Sequence, residues 1–199
     1  MEWTEVLGFA TGALCVWLTV RRSVWNFPVG VANNIFFIVL FVGAGLYADA
    51  VLQVVYIGLG LLGWWWWLHG GAGRGPLVVR RTPRWAWPVA VAVVGALTLA
   101  IRALLTSHTD SDVATWDALT TSVSLVAQVM LGRKWVGSWV FWIVADLVHV
   151  PLYLHKGLTL TAVLYLGFLG LCLVGLAQWW RARDEAPTAV VVRERAVVS

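Results

Sequence analysis

A single carboxylate, Asp146, closes the apolar run Ser138-Trp139-Val140-Phe141-Trp142-Ile143-Val144-Ala145. Ionisable groups at membrane depth are expensive and are usually kept for function. Trp139, Trp142 and Asp146 recur at i, i+3 and i+7, so on a helix two indoles and an acid share one face. Indole faces attract cations through their quadrupole, and a carboxylate in low dielectric binds a positive partner or takes up a proton. An organic cation would suit that surface. His149, one turn further on, could pair with the acid or relay a proton; a neutral imidazole donating to a backbone carbonyl is the plainer alternative.

The elements that must position these groups follow from composition. Hydrophobic residues make up 60% of the 199 residues and charged residues 12%, with a mean hydropathy of +0.80. Such a chain is an all-α integral membrane protein. Crossing a bilayer takes about 17 to 25 apolar residues, and seven candidate spans occur at roughly 4–20, 26–44, 49–68, 85–105, 117–132, 137–154 and 158–180. The first and fifth are marginal in length. No cleavable signal is expected, because Glu2 and Glu5 stand where a basic region would be and no small-residue cleavage site precedes Arg21 and Arg22.

Orientation follows from Lys and Arg in the loops. Arg21, Arg22, Arg74, Arg80, Arg81, Arg84, Arg133, Lys134, Arg181, Arg183, Arg193 and Arg195 fall on one side. Arg102 and Lys156 fall on the other, with Asp49, Asp110, Asp112 and the N-terminal glutamates. The N-terminus is thus expected outside and the C-terminus in the cytoplasm. The net charge of +4 is topological and gives no reason to expect nucleic acid. Cys15 and Cys172 lie within spans without metal-ligand spacing, and read as small apolar fillers.

An ungapped offset of 112 residues lays the first three spans on the last three. Arg21-Arg22 falls on Arg133-Lys134, Asn34 on Asp146, Gly45-Leu46 on Gly157-Leu158, Gly63 on Gly175 and Trp67 on Trp179. The reading is a parallel 3+1+3 repeat: residues 1–68 as the first three-helix unit, 69–106 as a basic cytoplasmic loop with linker helix four, 107–180 as the second unit, and 181–199 as a disordered cytoplasmic tail. Transporters built from parallel repeats hold substrate near the midplane, where the halves meet. Asn34 and Asp146 would then face one cavity from opposite sides. Asn33, Gln53, Tyr56, Ser124, Gln128, His149, Tyr165 and Gln178 would each leave polar atoms unsatisfied in lipid, so all are expected to point inward. In the run Trp64-Trp65-Trp66-Trp67 most rings should form an interfacial belt, while one or two, Trp67 among them, could close the cavity. Pro28 is tolerated near a helix start and Gly30 permits close packing or a bend.

Several segments carry a family resemblance: Trp25-Asn26-Phe27-Pro28-Val29-Gly30-Val31-Ala32-Asn33-Asn34, Gly45-Leu46-Tyr47-Ala48-Asp49 through Gln53-Val54-Val55-Tyr56, Gly63-Trp64-Trp65, and the Trp139, Trp142, Asp146 signature. Over about residues 5 to 180 the chain resembles the PnuC family of vitamin transporters, which are similar in helix plan to the SWEET sugar transporters. The resemblance implies a facilitator in the bacterial cytoplasmic membrane that takes up nicotinamide riboside, an NAD precursor, without ATP hydrolysis or an ion gradient. It also implies a homotrimer, and net uptake maintained by a cytoplasmic kinase that traps the nucleoside. The signature carries over onto Trp139, Trp142 and Asp146; the first half departs from it, reading Phe27, Gly30 and Asn34. Substrate contacts are expected from Trp139, Trp142, Asp146, Asn34, Gln53 and Gln128, with Asn33, Tyr56, His149 and Trp67 in support.

Other cargoes stay open, namely thiamine, itself an aromatic cation, or riboflavin. A small-molecule-sensing seven-helix receptor is the reading from a different class, although the short tail offers little signalling surface. A retinal protein would need a lysine in span seven, which has none. No paired acid and no Ser/His or Cys/His set points to an enzyme, and neither metal nor cofactor is expected.

Overall fold

Seven apolar runs become seven long helices in the computed structural model: α1 (Trp3–Val20), α2 (Asn26–Gly43), α3 (Tyr47–His69), α4 (Ala86–His108), α5 (Ala114–Gly132), α6 (Ser138–His155) and α7 (Thr159–Val198). The structure describes residues 3–43, 45, 47–108, 114–155, 157 and 159–198; side chains are described within 7–183, apart from 44, 46, 48, 107–113, 156 and 158. The expectations placed on Glu2, Glu5, Leu46, Asp110, Asp112, Lys156, Leu158, Arg193 and Arg195 fall on side chains outside that set.

Among the described residues five helices are long and apolar enough to cross a membrane: Asn26–Gly43, Asp49–His69, Ala86–Thr106, Ser138–His155 and Thr159–Arg183. The other two, α1 and α5, are the runs that looked marginal. In α1 the apolar stretch is Leu7–Val20. In α5 the deficit is polarity, and packing explains how it is tolerated. This helix lies against α3, α4 and α6, so Thr120, Ser122 and Ser124 are buried in protein and are not turned to lipid. Thr120 and Ser122 hydroxyls donate back to carbonyls of their own helix, at Trp116 and Ala118.

Helix packing follows the 112-residue offset. The neighbours α1 and α2 match α5 and α6, α2 and α3 match α6 and α7, and the cross-half pairs are α1 with α7 and α5 with α3. Backbone conformation repeats as well. Arg22 (φ 59°) and Lys134 (φ 51°) turn in the left-handed region after α1 and α5, as do Gly45 (φ 76°) and Gly157 (φ 74°) before α3 and α7. Glycine meets that requirement at little cost. α4 packs on α5 and is the element without a counterpart.

The end carrying the α1–α2 and α5–α6 turns is also where the segment after α3 folds back. Arg80 N–H donates to Lys134 O at 3.0 Å, Val136 N–H to Arg80 O at 3.1 Å, and Gly137 N–H to Thr82 Oγ1 at 2.8 Å. Leu77 and Val79 are buried beneath it. Lys134, expected as a loop charge, is itself buried: Nζ donates to Leu77 O at 2.6 Å and sits 4.1 Å from the Trp67 ring centre. Burial, and secondarily the Arg22 charge, push its ammonium down to about 8. Arg22, its equivalent in the first half, is exposed.

The tryptophan run divides as its helical directions require. Trp65 is exposed, Trp64 and Trp66 are half-buried, and Trp67 is 1% exposed. One expectation is corrected: Gln178 is exposed. It lies beside Trp179 near the basic end, where water or headgroups can satisfy the amide, so the demand for an inward partner does not apply there.

Candidate functional site

On four helices the residues facing the middle recur at alternating steps of three and four, which is one helix face. In α6 that face is Trp139, Trp142, Asp146 and His149; in α2 it is Phe27, Gly30 and Asn34. In α7 it is Tyr165, Phe168, Cys172, Gly175 and Trp179, and in α3 Gln53, Tyr56, Gly60, Gly63 and Trp67. Most of these residues surround one cavity of about 420 Å³, within the usual range for small-molecule sites. From α1 and α5 the walls are Gly12, Val16 and Thr19 opposite Ser124, Gln128 and Leu131, again pairs at the same offset.

The cavity therefore brings together Asn34, Gln53, Gln128, Trp139, Trp142 and Asp146, with Asn33, Tyr56 and His149 from the second group. Trp67 does not line it. Asp146 is 5% exposed, and among the described residues its hydrogen-bond partner is the Cys172 thiol, whose Sγ donates to Oδ2 at 3.4 Å. This corrects the reading of both cysteines as apolar fillers: Cys172 faces the acid, and Cys15 Sγ donates to Asn26 O at 3.3 Å. Sulfur is a weak donor, so the carboxylate retains most of its capacity to accept from a ligand. Asn33 is partly committed elsewhere, its amide donating to Thr11 Oγ1 at 2.5 Å and to Gly8 O at 3.2 Å.

The two indoles of the signature differ in role. Trp139 is 1% exposed and meets Trp179 edge-on, with centres 5.5 Å apart and an interplanar angle of 86°. A Cβ on Gly175 would lie 2.6 Å from its ring. Its Nε1 is buried and has no protein acceptor among the described residues, and the ring is a closely packed part of the wall. Trp142 is half-buried, with more ring face available to a ligand. His149 forms no hydrogen bond with Asp146 among the described residues. It lies 4.6 Å from Tyr165 and stacks on Tyr153 at 5.7 Å, which places it in an aromatic cluster on the side of the cavity away from the basic end.

Thr19, Phe27, Ser124, Leu131, Phe168 and Cys172 line the cavity and were not expected as site residues. The signal for Phe168 and Cys172 was present, since both continue the stripe between Tyr165 and Trp179. No group of three or more His, Cys, Asp or Glu able to hold a metal ion occurs among the described residues.

Comparison with known proteins agrees with this architecture. Residues 2–181 match the family model described as nicotinamide mononucleotide transporter. The nicotinamide riboside transporter PnuC of Escherichia coli is 22% identical over 210 residues, covering 93% of this chain and 88% of the relative. The riboflavin/roseoflavin transporter RibM of Streptomyces davaonensis is 31% identical over 193 residues, covering 93% and 89%. Among solved structures, a crystal structure of the vitamin B3 transporter PnuC superposes with a TM-score of 0.71 at 23% identity, over 92% of this chain and 83% of the other; that likeness concerns the fold. With the match running through all seven helices and the cavity between them, the chain belongs to the nicotinamide mononucleotide transporter (PnuC) family, a family of membrane transporters and not of enzymes.

Proposed function

We propose that this transporter takes up nicotinamide riboside as a facilitator, by alternating access around the cavity between the two halves. One observation carries the reading: a buried carboxylate, Asp146, faces a cavity walled by tryptophan, with a thiol as its protein partner among the described residues. A pyridinium supplies the missing positive charge. Trp142 stacks on that ring, Asp146 offsets its charge or holds ribose hydroxyls, and Asn34, Gln53 and Gln128 bond the sugar.

The basic end faces the cytoplasm on this reading, with the N-terminus outside, as the grouping of Arg21, Arg22, Arg80, Arg81, Arg133 and Lys134 supports. Metabolic trapping by a cytoplasmic kinase would keep the gradient inward, and the functional unit is a homotrimer in the bacterial cytoplasmic membrane.

A second cargo has its own support. Of the relatives above, RibM has the higher identity, and its name assigns it riboflavin. A flavin is also a flat ring on a polyhydroxylated chain, and a carboxylate can accept from its ring N–H.

Titration of the purified protein by intrinsic tryptophan fluorescence separates the cargoes, with nicotinamide riboside, thiamine and riboflavin in parallel. Quenching by nicotinamide riboside, lost in Trp142→Ala, supports cargo and site. A response to riboflavin or thiamine alone reassigns the cargo, and silence to all three reopens the receptor reading, which flux into liposomes would then decide.

A further inference from the structure

Beneath the cavity, Trp67 and Trp179 make a reciprocal pair across the two halves. Trp67 Nε1, on α3, donates to Leu131 O on α5 at 3.2 Å. Trp179 Nε1, on α7, donates to Thr19 O on α1, also at 3.2 Å. Both rings are at most 1% exposed, and they touch each other with centres 5.9 Å apart. Thr19 and Leu131 line the cavity floor, while the opposite side of Trp67 meets Lys134 Nζ and the Leu77 segment at the basic end. The pair thus fills the space between cavity and basic end. Parting these rings would open the cavity floor toward that end.

The same rings are tied to the cavity walls. Phe27 meets Trp67 edge-on at 5.0 Å and 89°, and its equivalent Trp139 meets Trp179 at 5.5 Å and 86°. Gly63 and Gly175 give Phe27 and Trp139 the room to sit there. A ligand moving Trp139 therefore presses on Trp179, whose hydrogen bond holds α7 to α1.

We propose that Trp67 and Trp179 are the gate at the basic end of this transporter, opened by breaking the two reciprocal indole–carbonyl bonds, and that the α1–α7 seam parts before the α3–α5 seam. The assignment of a gate rests on the transport reading given above. The order of opening rests on an asymmetry: the α3–α5 seam carries the further tie of Lys134 to Leu77 and to the Trp67 ring, while Arg22, at the matching place in the first half, is exposed.

Hydrogen exchange of the full chain in lipid nanodiscs, without cargo, tests this on residues 16–22 and 128–134. Trp179→Phe keeps an aromatic ring, smaller than the indole, and removes the donor; exchange at 16–22 is expected to rise at least about fivefold, the population shift from one net hydrogen bond with lost packing adding to it, and 128–134 should move less. Trp67→Phe should raise 128–134 by a similar factor. Lys134→Met, a change on the turn that leaves both tryptophans in place, should raise 128–134 and narrow the difference between the seams. Trp65→Phe, on the exposed face of the same run, is the control. Exchange at control levels in the gate variants overturns the proposal. So does vitamin binding that falls in step with the rise in exchange, which would make the rings part of the binding wall. If wild-type protein binds none of the vitamins, the cargo reading fails, whereas the exchange pattern still decides the gate.

Discussion

The first and second halves share a packing plan and differ in what they present to the cavity. Where α6 offers Trp139, Trp142 and Asp146, α2 offers Phe27, Gly30 and Asn34. The frame is conserved between them down to individual contacts: the edge-on aromatic pair, the indole–carbonyl bond and the glycine beneath the ring each occur twice. Frame and lining are separable in this fold. Residues that hold the halves together repeat, while residues that face the cavity diverge, and its carboxylate is confined to one side. A ligand with a cationic ring at one end and hydroxyls at the other would lie in one preferred direction.

The comparison is best broken at its sharpest difference. Asp146→Asn makes the halves alike at that one position and is expected to weaken nicotinamide riboside binding about 10- to 100-fold, the range for losing a charged hydrogen-bond partner; unchanged affinity in the fluorescence titration would end the cation reading. Trp142→Ala should cost about 3- to 30-fold through the lost cation–π face, read in the same titration. Asn34→Ala, on the uncharged side, should cost less, about fivefold for one neutral hydrogen bond. An effect larger than that of Asp146→Asn would reverse the assignment of roles.

Stability probes sharpen the frame. Gly175→Ala drives a methyl to 2.6 Å from the Trp139 indole and should cost about 1 to 3 kcal/mol by overpacking. At Gly63 the nearest atom is the Phe27 ring at 3.0 Å, so Gly63→Ala should lower the melting temperature less. Equal shifts would argue that Trp139 can give way. The smallest effect concerns Lys134. Its folded-state value, about 8, lies below the 10.5 of the free side chain, so between those values the unfolded chain binds more protons and stability rises with pH. Lys134→Met should flatten that rise in thermal melts, and an unchanged slope would place the titrating group elsewhere.

Much of this architecture was legible in the residues. The helices were visible because apolar runs bounded by Arg21-Arg22, Gly45, Arg133-Lys134 and Gly157 leave few alternatives. The cavity was visible because polar side chains in spans must find partners. Cys172 was misread because its partner lies on another helix, 26 residues away, and no local spacing announces such a pair. The burial of Lys134 was hidden for a related reason. A positive-inside count treats every loop charge as solvated, and the segment that covers this one comes from the far side of α4. Gln178 failed in the opposite direction, since hydropathy does not record how close a residue lies to the end of its helix.

The reciprocal indole bonds also bear on how the chain is made. When α1 to α3 have emerged and α5 and α7 have not, the Trp67 indole N–H lacks the Leu131 carbonyl, and the Thr19 carbonyl, already bonded to Arg22 N–H of its own turn, lacks the Trp179 indole. Within a bilayer an unmet indole N–H attracts whatever acceptor can satisfy it. A second copy of the same half presents a matching donor and acceptor in a matching arrangement. The contact that closes the finished molecule is thus one that two separate copies of such a three-helix unit could form between themselves.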